Sequence, residues 1–383
     1  MNPVISVFVP TRNRYEYLKN LVLLIESYHD PRIELVIQDN SDDNSDFLPF
    51  LNSVSSLSTK YYYYSGFLSM SENSNLGFKH CNGEFVCMIG DDDAVCRNIA
   101  DCAEWMRENN VDALRSSEVQ FIYDGERDDV LYYDTPSNEV KKINPMKALR
   151  QTLNKGLIDF GLVPKLYHGI VAKRVLDSFL EKHNKTTVFP GCTPDMSGAI
   201  LTTCIVNNYV KIGIPVILSG TSKMNSGGLS GQILKLDEVP WITQETRDSW
   251  EKDVPKIWAR EFIWPESGSK GLRFCGHSKM LKYMDYYMMR ARYLIMHKQH
   301  RKAVIQTSPS KLRLLLAYIK TLVFVGGRYI YNRQIKARFN HKMNGVYEYT
   351  KTCHSIKEVE DFFYKNGYQI SFSSLVFTNK QIK

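Results

Sequence analysis

The stretch Glu84-Phe-Val-Cys-Met-Ile-Gly90-Asp91-Asp92-Asp93-Ala-Val95 decides how the rest of the chain is read. Phe85 to Ile89 is a short apolar run with the length and composition of a buried strand. Gly90 lets the backbone turn, and three carboxylates follow where the strand ends. Adjacent acids repel one another and lose hydration when buried, so the cluster calls for compensating positive charge. A divalent ion supplies it well, because hard cations take carboxylate oxygens. A solvated acidic turn, or a helix N-terminus where acids suit the dipole, would give the same letters. The flanking segments weigh against that plainer reading.

Upstream, Pro3 to Pro10 alternates as a first buried strand, and Thr11-Arg12-Asn13-Arg14 is the loop after it. Leu18, Leu21, Val22 and Ile25 recur at helical spacing over Tyr15 to Tyr28. Pro31 ends that helix, and Ile33 to Ile37 is a second strand running into Gln38-Asp39-Asn40-Ser41. Strand, helix, strand at this spacing is a parallel crossover unit. Ligands of such sheets bind beyond the carboxyl ends of the strands. Thr11, Asp39 and Asp91 to Asp93 all fall at such ends, so one crevice can hold them. Lys60 to Tyr64 predicts a third strand, and Asn75-Leu-Gly77-Phe-Lys79-His80 predicts the opening of the helix before the acidic strand.

Downstream, Ile99 to Asn109 reads as helix and Ala113 to Tyr123 as extended chain. The polar residues 124–145 read as a surface hairpin or insertion. Gly169 to Lys182 leads into a helix, Pro194-Asp195 is a turn before an apolar helix over Ile200 to Val206, and Lys211 to Leu218 is a strand. Ser219 to Gly231 is rich in glycine and serine, which predicts a mobile loop able to fold over a bound ligand. Beyond residue 235 or so, Trp241, Trp250, Trp258 and Trp264 are expected to line a helical segment. Met280 to Ile295 reads as one face of a long helix. Leu312 to Val325 is very apolar, broken by Arg313 and Lys320. Ser355-Ile-Lys-Glu358 is a capping-box signature for a last helix.

The composition is that of an ordinary globular protein: 383 residues, 43% hydrophobic and 23% charged, enough for two or three domains. Eight cysteines without a Cys-x-x-Cys pair fit free thiols in a reducing cytosol better than a disulfide framework or a zinc site. Val4 to Val9 is too short for a signal-peptide core, and no run of about 18 apolar residues predicts a spanning helix. Charge is uneven. Residues 273–342 carry 16 Lys/Arg and one acid, a local +15 in a chain of net +8, so the remainder is net −7. Basic residues interleaved with Tyr, Met and Leu at helical periods read as an interfacial contact with anionic membrane. Nucleic acid is the alternative partner, but no recognition motif supports it, and none is expected. A basic solvated face on a packed helical domain is the plainest reading.

The run Val7-Phe-Val-Pro10-Thr11-Arg12-Asn13-Arg14, the strand end Gln38-Asp39-Asn40-Ser41, Asn75-Leu-Gly77, and Gly90-Asp91-Asp92-Asp93 come in the order seen in family 2 glycosyltransferases. The set resembles bacterial enzymes of surface polysaccharide biosynthesis, such as O-antigen or capsule. It covers about the first 100 residues well, and Pro194-Asp195 and Gly220-Thr-Ser222 resemble later landmarks. The resemblance implies a GT-A fold: an α/β, Rossmann-like nucleotide-diphospho-sugar transferase domain over 1–232, with 1–100 binding nucleotide and 101–232 facing the acceptor. A mainly α-helical, basic C-terminal extension follows over 233–383. The implied reaction moves a sugar from a nucleotide-sugar donor to a hydroxyl of a glycan or lipid-linked acceptor, with inversion and with Mn²⁺ or Mg²⁺. Pro10, Thr11, Arg12, Asp39, Asn75, Gly77, Lys79, Asp91 and Asp92 are the implied nucleotide contacts. Asp93 would bind the metal directly, and Asp91 would contact ribose or a metal-bound water. The family motif has an acid where Gly90 stands, which leaves the roles within the triplet open.

Inverting transfer needs a base for the acceptor hydroxyl, and Asp195 is the candidate, although an Asp ahead of an apolar run can simply be an N-cap. His168 is a second candidate for acceptor contact. A nucleotidyltransferase would show an early Gly-rich phosphate loop, which Pro10 to Arg14 lacks. A non-catalytic membrane- or nucleic-acid-binding protein with a degenerate nucleotide fold is the rival outside enzymes. The expected location is cytoplasmic, at the inner face of the cell membrane.

Overall fold

The computed structural model describes residues 3–54, 58–123, 130–222, 233–330, 349–350, 353–365 and 370–378. In chain order the strands are β1 (Ile5–Thr11), β2 (Ile33–Asp39), β3 (Thr59–Tyr63), β4 (Phe85–Met88), β5 (Ala94–Val95), β6 (Ala113–Arg115), β7 (Val119–Ile122), β8 (Val130–Tyr133), β9 (Glu139–Lys142), β10 (Ile170–Ala172), β11 (Tyr209–Ile212), β12 (Ile217–Thr221), β13 (Leu234–Lys235), β14 (Ile257–Trp258), β15 (Tyr349–Thr350) and β16 (Val376–Thr378). The main sheet runs β16-β9-β11-β6-β10-β4-β1-β2-β3. Its half from β4 to β3 is parallel throughout, as the strand-helix-strand reading of the sequence predicts. Alternate residues of β1 feed two cores: Ile5, Val7 and Val9 pack with Leu18, Leu21 and Ile25, whereas Phe8 packs with Val36, Val86 and Met88. Covering both faces is why these strands read as near-continuous apolar runs. A second sheet, β15-β8-β7-β12-β5, stands beside the acidic turn.

The register of the parallel half builds the crevice. Thr11 pairs with Asp39, and Phe8 with Met88, so the strand ends carrying Thr11, Asp39 and the acids after β4 align at one edge.

Several elements differ from the sequence reading. The helix before β4 spans Met70–Phe78, started by a Ser69/Glu72 capping box, so Asn75 and Gly77 lie in its second half and do not open it. Lys211 to Leu218 is divided between β11 in the main sheet and β12 in the second. Ser219 to Thr221 belong to β12, and residues 223–231 of the expected loop lie outside the described residues, as do 124–129 of the expected insertion and 331–342 of the basic region. The four tryptophans do not line one helix. Trp258 is in β14, stacked edge-on to Trp241 at 6.0 Å, and only Trp264 sits in the long helix Arg260–Phe274. Met280 to Ile295 is broken as well: a 3-10 segment, Ser278–Tyr283, precedes the helix Tyr286–Met296, whose N-cap Asp285 accepts from the N–H groups of Tyr287 and Met288.

The C-terminal region mixes helices with short strands and is closely tied to the N-terminal α/β body. The helix Arg260–Phe274 packs along the helix Pro194–Ile205. Helix Ile356–Lys365, with Ser355 and Glu358 in the anticipated cap, carries the buried Glu360 into an ion pair with the partly exposed Arg97, and β16 adds a parallel strand to β9. Among the described residues no helix is long and apolar enough to cross a membrane.

Candidate active site

Asp91, Asp92 and Asp93 follow β4 and are 2%, 5% and 0% exposed. Three carboxylates at that burial need partners, and each has them. Asp91 Oδ2 accepts from the Thr11 hydroxyl at 2.6 Å, and its Oδ1 lies 2.8 Å from Nη1 of Arg14. Asp92 Oδ2 accepts from Nη2 of Arg14 at 2.7 Å and from the amide and hydroxyl of Ser222 at 3.0 and 2.7 Å. Asp93 is saturated. Its Oδ1 accepts from the Gly220 amide at 2.7 Å. Its Oδ2 accepts from the Gly90 amide at 2.6 Å and the Tyr167 hydroxyl at 3.2 Å, and lies 2.6 Å from His168 Nε2.

These partners shift proton affinities in opposite senses. Burial pushes the Asp91 carboxyl up to about 7, against the Arg14 charge and the Thr11 hydroxyl. For Asp93 burial also pushes upward, but His168 and the Gly90 and Gly220 amides outweigh it, and its proton affinity falls below the ordinary carboxylate value.

Tyr167 and His168 reach Asp93 because Leu166 to Gly169 is fastened to the end of β4: the Met88 amide donates to Leu166 O at 3.0 Å, and the His168 amide to Met88 O at 2.9 Å. His168 holds a left-handed φ of 57° in this turn. Next to it, burial and the Arg115 charge lower the Lys165 ammonium to about 8, opposed by Glu118, Asp195 and Asp93. Tyr167 is raised by burial and by the charges of Asp93, Asp92 and Asp195. Lys165 and Tyr167 therefore feel the charges of both the acidic turn and Asp195.

Asp195 lies in the first turn of the helix Pro194–Ile205. Thr193 is the N-cap, so the capping reading of Asp195 does not hold; its Oδ1 accepts from the Met196 amide at 2.7 Å. Burial raises its proton affinity, partly offset by Met196 N–H, Lys165 and the Trp264 indole. The C-terminal region braces this loop, with the Thr193 amide donating to Ser267 Oγ at 2.9 Å.

The other expected contacts divide. Asp39 is fully buried, and both oxygens are engaged: Oδ1 by the Ser41 amide and hydroxyl, Oδ2 by the hydroxyls of Tyr15 and Tyr61, each at 2.6 Å. Asn40 anchors the next segment, accepting from the Leu68 amide at 3.1 Å. Pro10 and Thr11 end β1 at the crevice. Arg12 instead turns outward to Asp42 at 2.8 Å. Asn75 clamps Val188 and Phe189, accepting from their amides at 2.8 and 3.0 Å, and so steadies the segment leading to Asp195. Gly77 packs under Phe8, and Lys79 is an exposed residue at the end of its helix. Asn73 goes unremarked in the sequence reading, yet it bridges the ends of β1 and β2 through Thr11 O and Gln38 O.

The donor set for a divalent ion is hard oxygen, which suits Mg²⁺ or Mn²⁺. Asp93, the expected direct ligand, has its oxygens engaged by four donors. Asp91 Oδ1, which makes no hydrogen bond, fits as an ion ligand with Asp92 beside it, and both carboxylates face Arg14.

Residues 6–155 match the model of the family described as Glycosyl transferase family 2. Among solved structures, the chain is similar to the S. aureus TarS fragment 1-349 in complex with UDP-GlcNAc, at 14% identity over 88% of this chain and 76% of that one, with a TM-score of 0.43. The same fragment with UDP aligns at 16% identity over 83% and 87%, also at 0.43. The mannosyltransferase PcManGT from Pyrobaculum calidifontis, in complex with GDP-Man and Mn²⁺, aligns at 13% identity over 84% and 88%, with a TM-score of 0.34. No curated protein sequence matches the chain.

Proposed function

We propose that this chain, whose residues 6–155 match the model of the family described as Glycosyl transferase family 2, transfers a sugar from a nucleotide-sugar donor to a hydroxyl of a glycan or lipid-linked acceptor, with inversion, in bacterial surface polysaccharide synthesis such as that of O-antigen or capsule. The observation that carries this reading is the alignment of the strand ends bearing Thr11, Asp39 and the buried acidic turn at one edge of the sheet. These are the strand ends expected to hold a nucleotide. Asp195, in the first turn of the helix Pro194–Ile205, supplies a half-buried carboxylate with raised proton affinity, as a base for a hydroxyl requires.

Each residue then has a task. Pro10 and Thr11 close the first strand end over the nucleotide, and Thr11 orients Asp91. Asp39 serves the base or ribose when one of its two tyrosine donors gives way. Asp91 and Asp92 would hold Mg²⁺ or Mn²⁺, while Asp93 fixes the turn that presents them. The ion would take up charge on the departing nucleoside diphosphate. Lys165 stands ready to meet developing negative charge. Asp195 takes the proton from the acceptor hydroxyl as that oxygen attacks the anomeric carbon on the face opposite the leaving group, which inverts the configuration.

The acceptor's lipid-linked form is supported by the helix Lys311–Ile330. Leu312, Leu315, Leu316, Ile319, Leu322 and Val323 form a stripe 44–71% exposed, opposite the buried Leu314, Ala317 and Thr321. Exposed Lys311 flanks one edge of the stripe, and Arg313 and Lys320 flank the other. An apolar stripe with basic margins suits the surface of an anionic bilayer, and would place the enzyme at the cytoplasmic face.

The test is incubation of the protein with UDP- and GDP-sugars and lipid-linked acceptors, following nucleoside diphosphate release and the anomeric configuration of the product by NMR. Release that requires acceptor, with an inverted product, is expected. A retained configuration would remove Asp195 from the base role, and no release with any donor would count against the reading as a whole.

A further inference from the structure

Arg14 leaves the first strand's loop just before the helix Tyr15–Glu26 and turns into the crevice, where its guanidinium spans Asp91 at 2.8 Å, Asp92 at 2.7 Å and the Ser222 hydroxyl at 2.6 Å. Among the described residues it is the cation ion-paired with Asp91 and Asp92. Two details set this contact apart from a settled structural ion pair. Asp91 Oδ1 faces the guanidinium without a hydrogen bond, and the buried Arg14 Nε has no acceptor. The fork is therefore only partly satisfied by the two carboxylates. The side chain also keeps 16% of its surface open, so it is not sealed into the core.

A guanidinium and a divalent cation cannot both occupy the space against Asp91 and Asp92, because each needs the same oxygens and they repel one another. A diphosphate changes the balance. Its oxygens match the planar fork of Arg bidentately, which a point charge does not achieve. We infer that Arg14 is a resident cation that keeps the divalent-ion site closed in the free protein and passes from the two carboxylates to the donor's diphosphate, so that ion and nucleotide enter together. The inference rests on the nucleotide-donor reading above. It gives Arg14 a positioning role that neither the acidic motif nor the loop motif specifies.

The consequence is a metal affinity held down by Arg14. Removing its charge should tighten Mn²⁺ binding about 10-fold or more, by analogy with the one to three pKa units that an adjacent cation takes from a carboxylate. The experiment titrates Mn²⁺ into the full chain, without sugar donor, and follows free Mn²⁺ by electron paramagnetic resonance. It compares wild type, Arg14→Gln, Arg14→Lys and Arg14→Gln/Asp91→Asn, each with and without UDP or GDP.

The expected result has three parts. Arg14→Gln binds Mn²⁺ more tightly than wild type in the absence of nucleotide. The added Asp91→Asn abolishes that gain. Nucleoside diphosphate tightens Mn²⁺ binding less in Arg14→Gln than in wild type. Arg14→Lys keeps the charge but cannot bridge both carboxylates, so it gives a smaller gain and carries the test if the glutamine variant does not fold. Unchanged Mn²⁺ affinity in the folded Arg14 variants, with nucleoside diphosphate still promoting Mn²⁺ binding to wild type, would overturn this role for Arg14 and leave the transferase reading standing. Absence of Mn²⁺ binding to any form, with or without nucleotide, would overturn both this role and the metal dependence proposed above.

Discussion

Asp195 owes its raised proton affinity first to burial, and this gives its role a pH signature. The base is the carboxylate form. Because the folded value lies above the ordinary aspartate value of about 3.9, that form is lost as pH falls through a higher value than usual. The rate constant at saturating donor should drop on the acid side at that raised value, and a profile flat down to the ordinary carboxylate range contradicts the role. Asp195→Asn should lower turnover by about 10² to 10⁴ and leave the thermal shift caused by nucleoside diphosphate intact. At this scale the sequence was only half legible. The acids, Thr11 and Asp195 stand out from their neighbours. Their partners do not: Arg14 meets Asp92 across 78 positions, and His168 meets Asp93 across 75. Arg14 stands within the first motif, yet nothing local says which carboxylate it faces. Tyr167 and Lys165 come into play only because a turn between distant strands lies on the end of β4.

Elements hold these side chains through close backbone approach, most clearly at β12. The Gly220 amide donates to Asp93, and a Cβ on Gly220 would lie 1.7 Å from Asp92 O. Gly220→Ala should therefore push β12 off the acidic turn, weakening both stability and donor binding; an unchanged melting temperature and unchanged binding would refute the packing. Gly77 gives a comparison away from the acids. A Cβ there would lie 2.2 Å from Phe8 Cε2 and 2.7 Å from Gln38 Cβ, so Gly77→Ala should cost about 1–3 kcal/mol by chemical denaturation. Element periodicity was read well where apolar spacing is regular, as in β1, β2, β4 and the helix Tyr15–Glu26. It failed where spacing was taken without the caps. Asp285 interrupts the pattern from Met280 to Ile295 because its carboxylate captures two amides and starts a new helix, and Ser69 with Glu72 starts the earlier helix well ahead of Asn75. Both are cap signals of a kind that sequence reading can use. The tryptophans misled because large aromatic residues also fill cores between irregular segments, as Trp241 and Trp258 do.

At the scale of the whole molecule, the C-terminal region both braces the segment leading to Asp195 and returns to the N-terminal half of the chain. Arg97 pairs with Glu360, which is 2% exposed, and stacks on Tyr364 at 3.7 Å. Arg97→Ala leaves that carboxylate without its cation, and a loss of about 1–3 kcal/mol is expected in denaturant unfolding. Non-local strand pairing, such as β16 on β9, has no local sequence signal, so the extent of this return was not legible. The basic apolar helix was legible as composition, and the structure adds its exposed stripe. Anionic liposomes should bind the protein more than neutral ones, and Leu316→Glu should weaken that binding even at low salt; equal retention on both vesicle types argues against the basic margins, and full retention by Leu316→Glu argues against the stripe. All of this depends on the crevice accepting a nucleotide. The most direct measurement is thermal stability against a panel of nucleoside diphosphates and nucleotide sugars, with and without Mn²⁺ or Mg²⁺. A ligand at about 100 times its dissociation constant adds about 2.7 kcal/mol. A stabilisation selective for one base and strengthened by the ion is the predicted result, and no shift with any nucleotide under either condition would contradict the account.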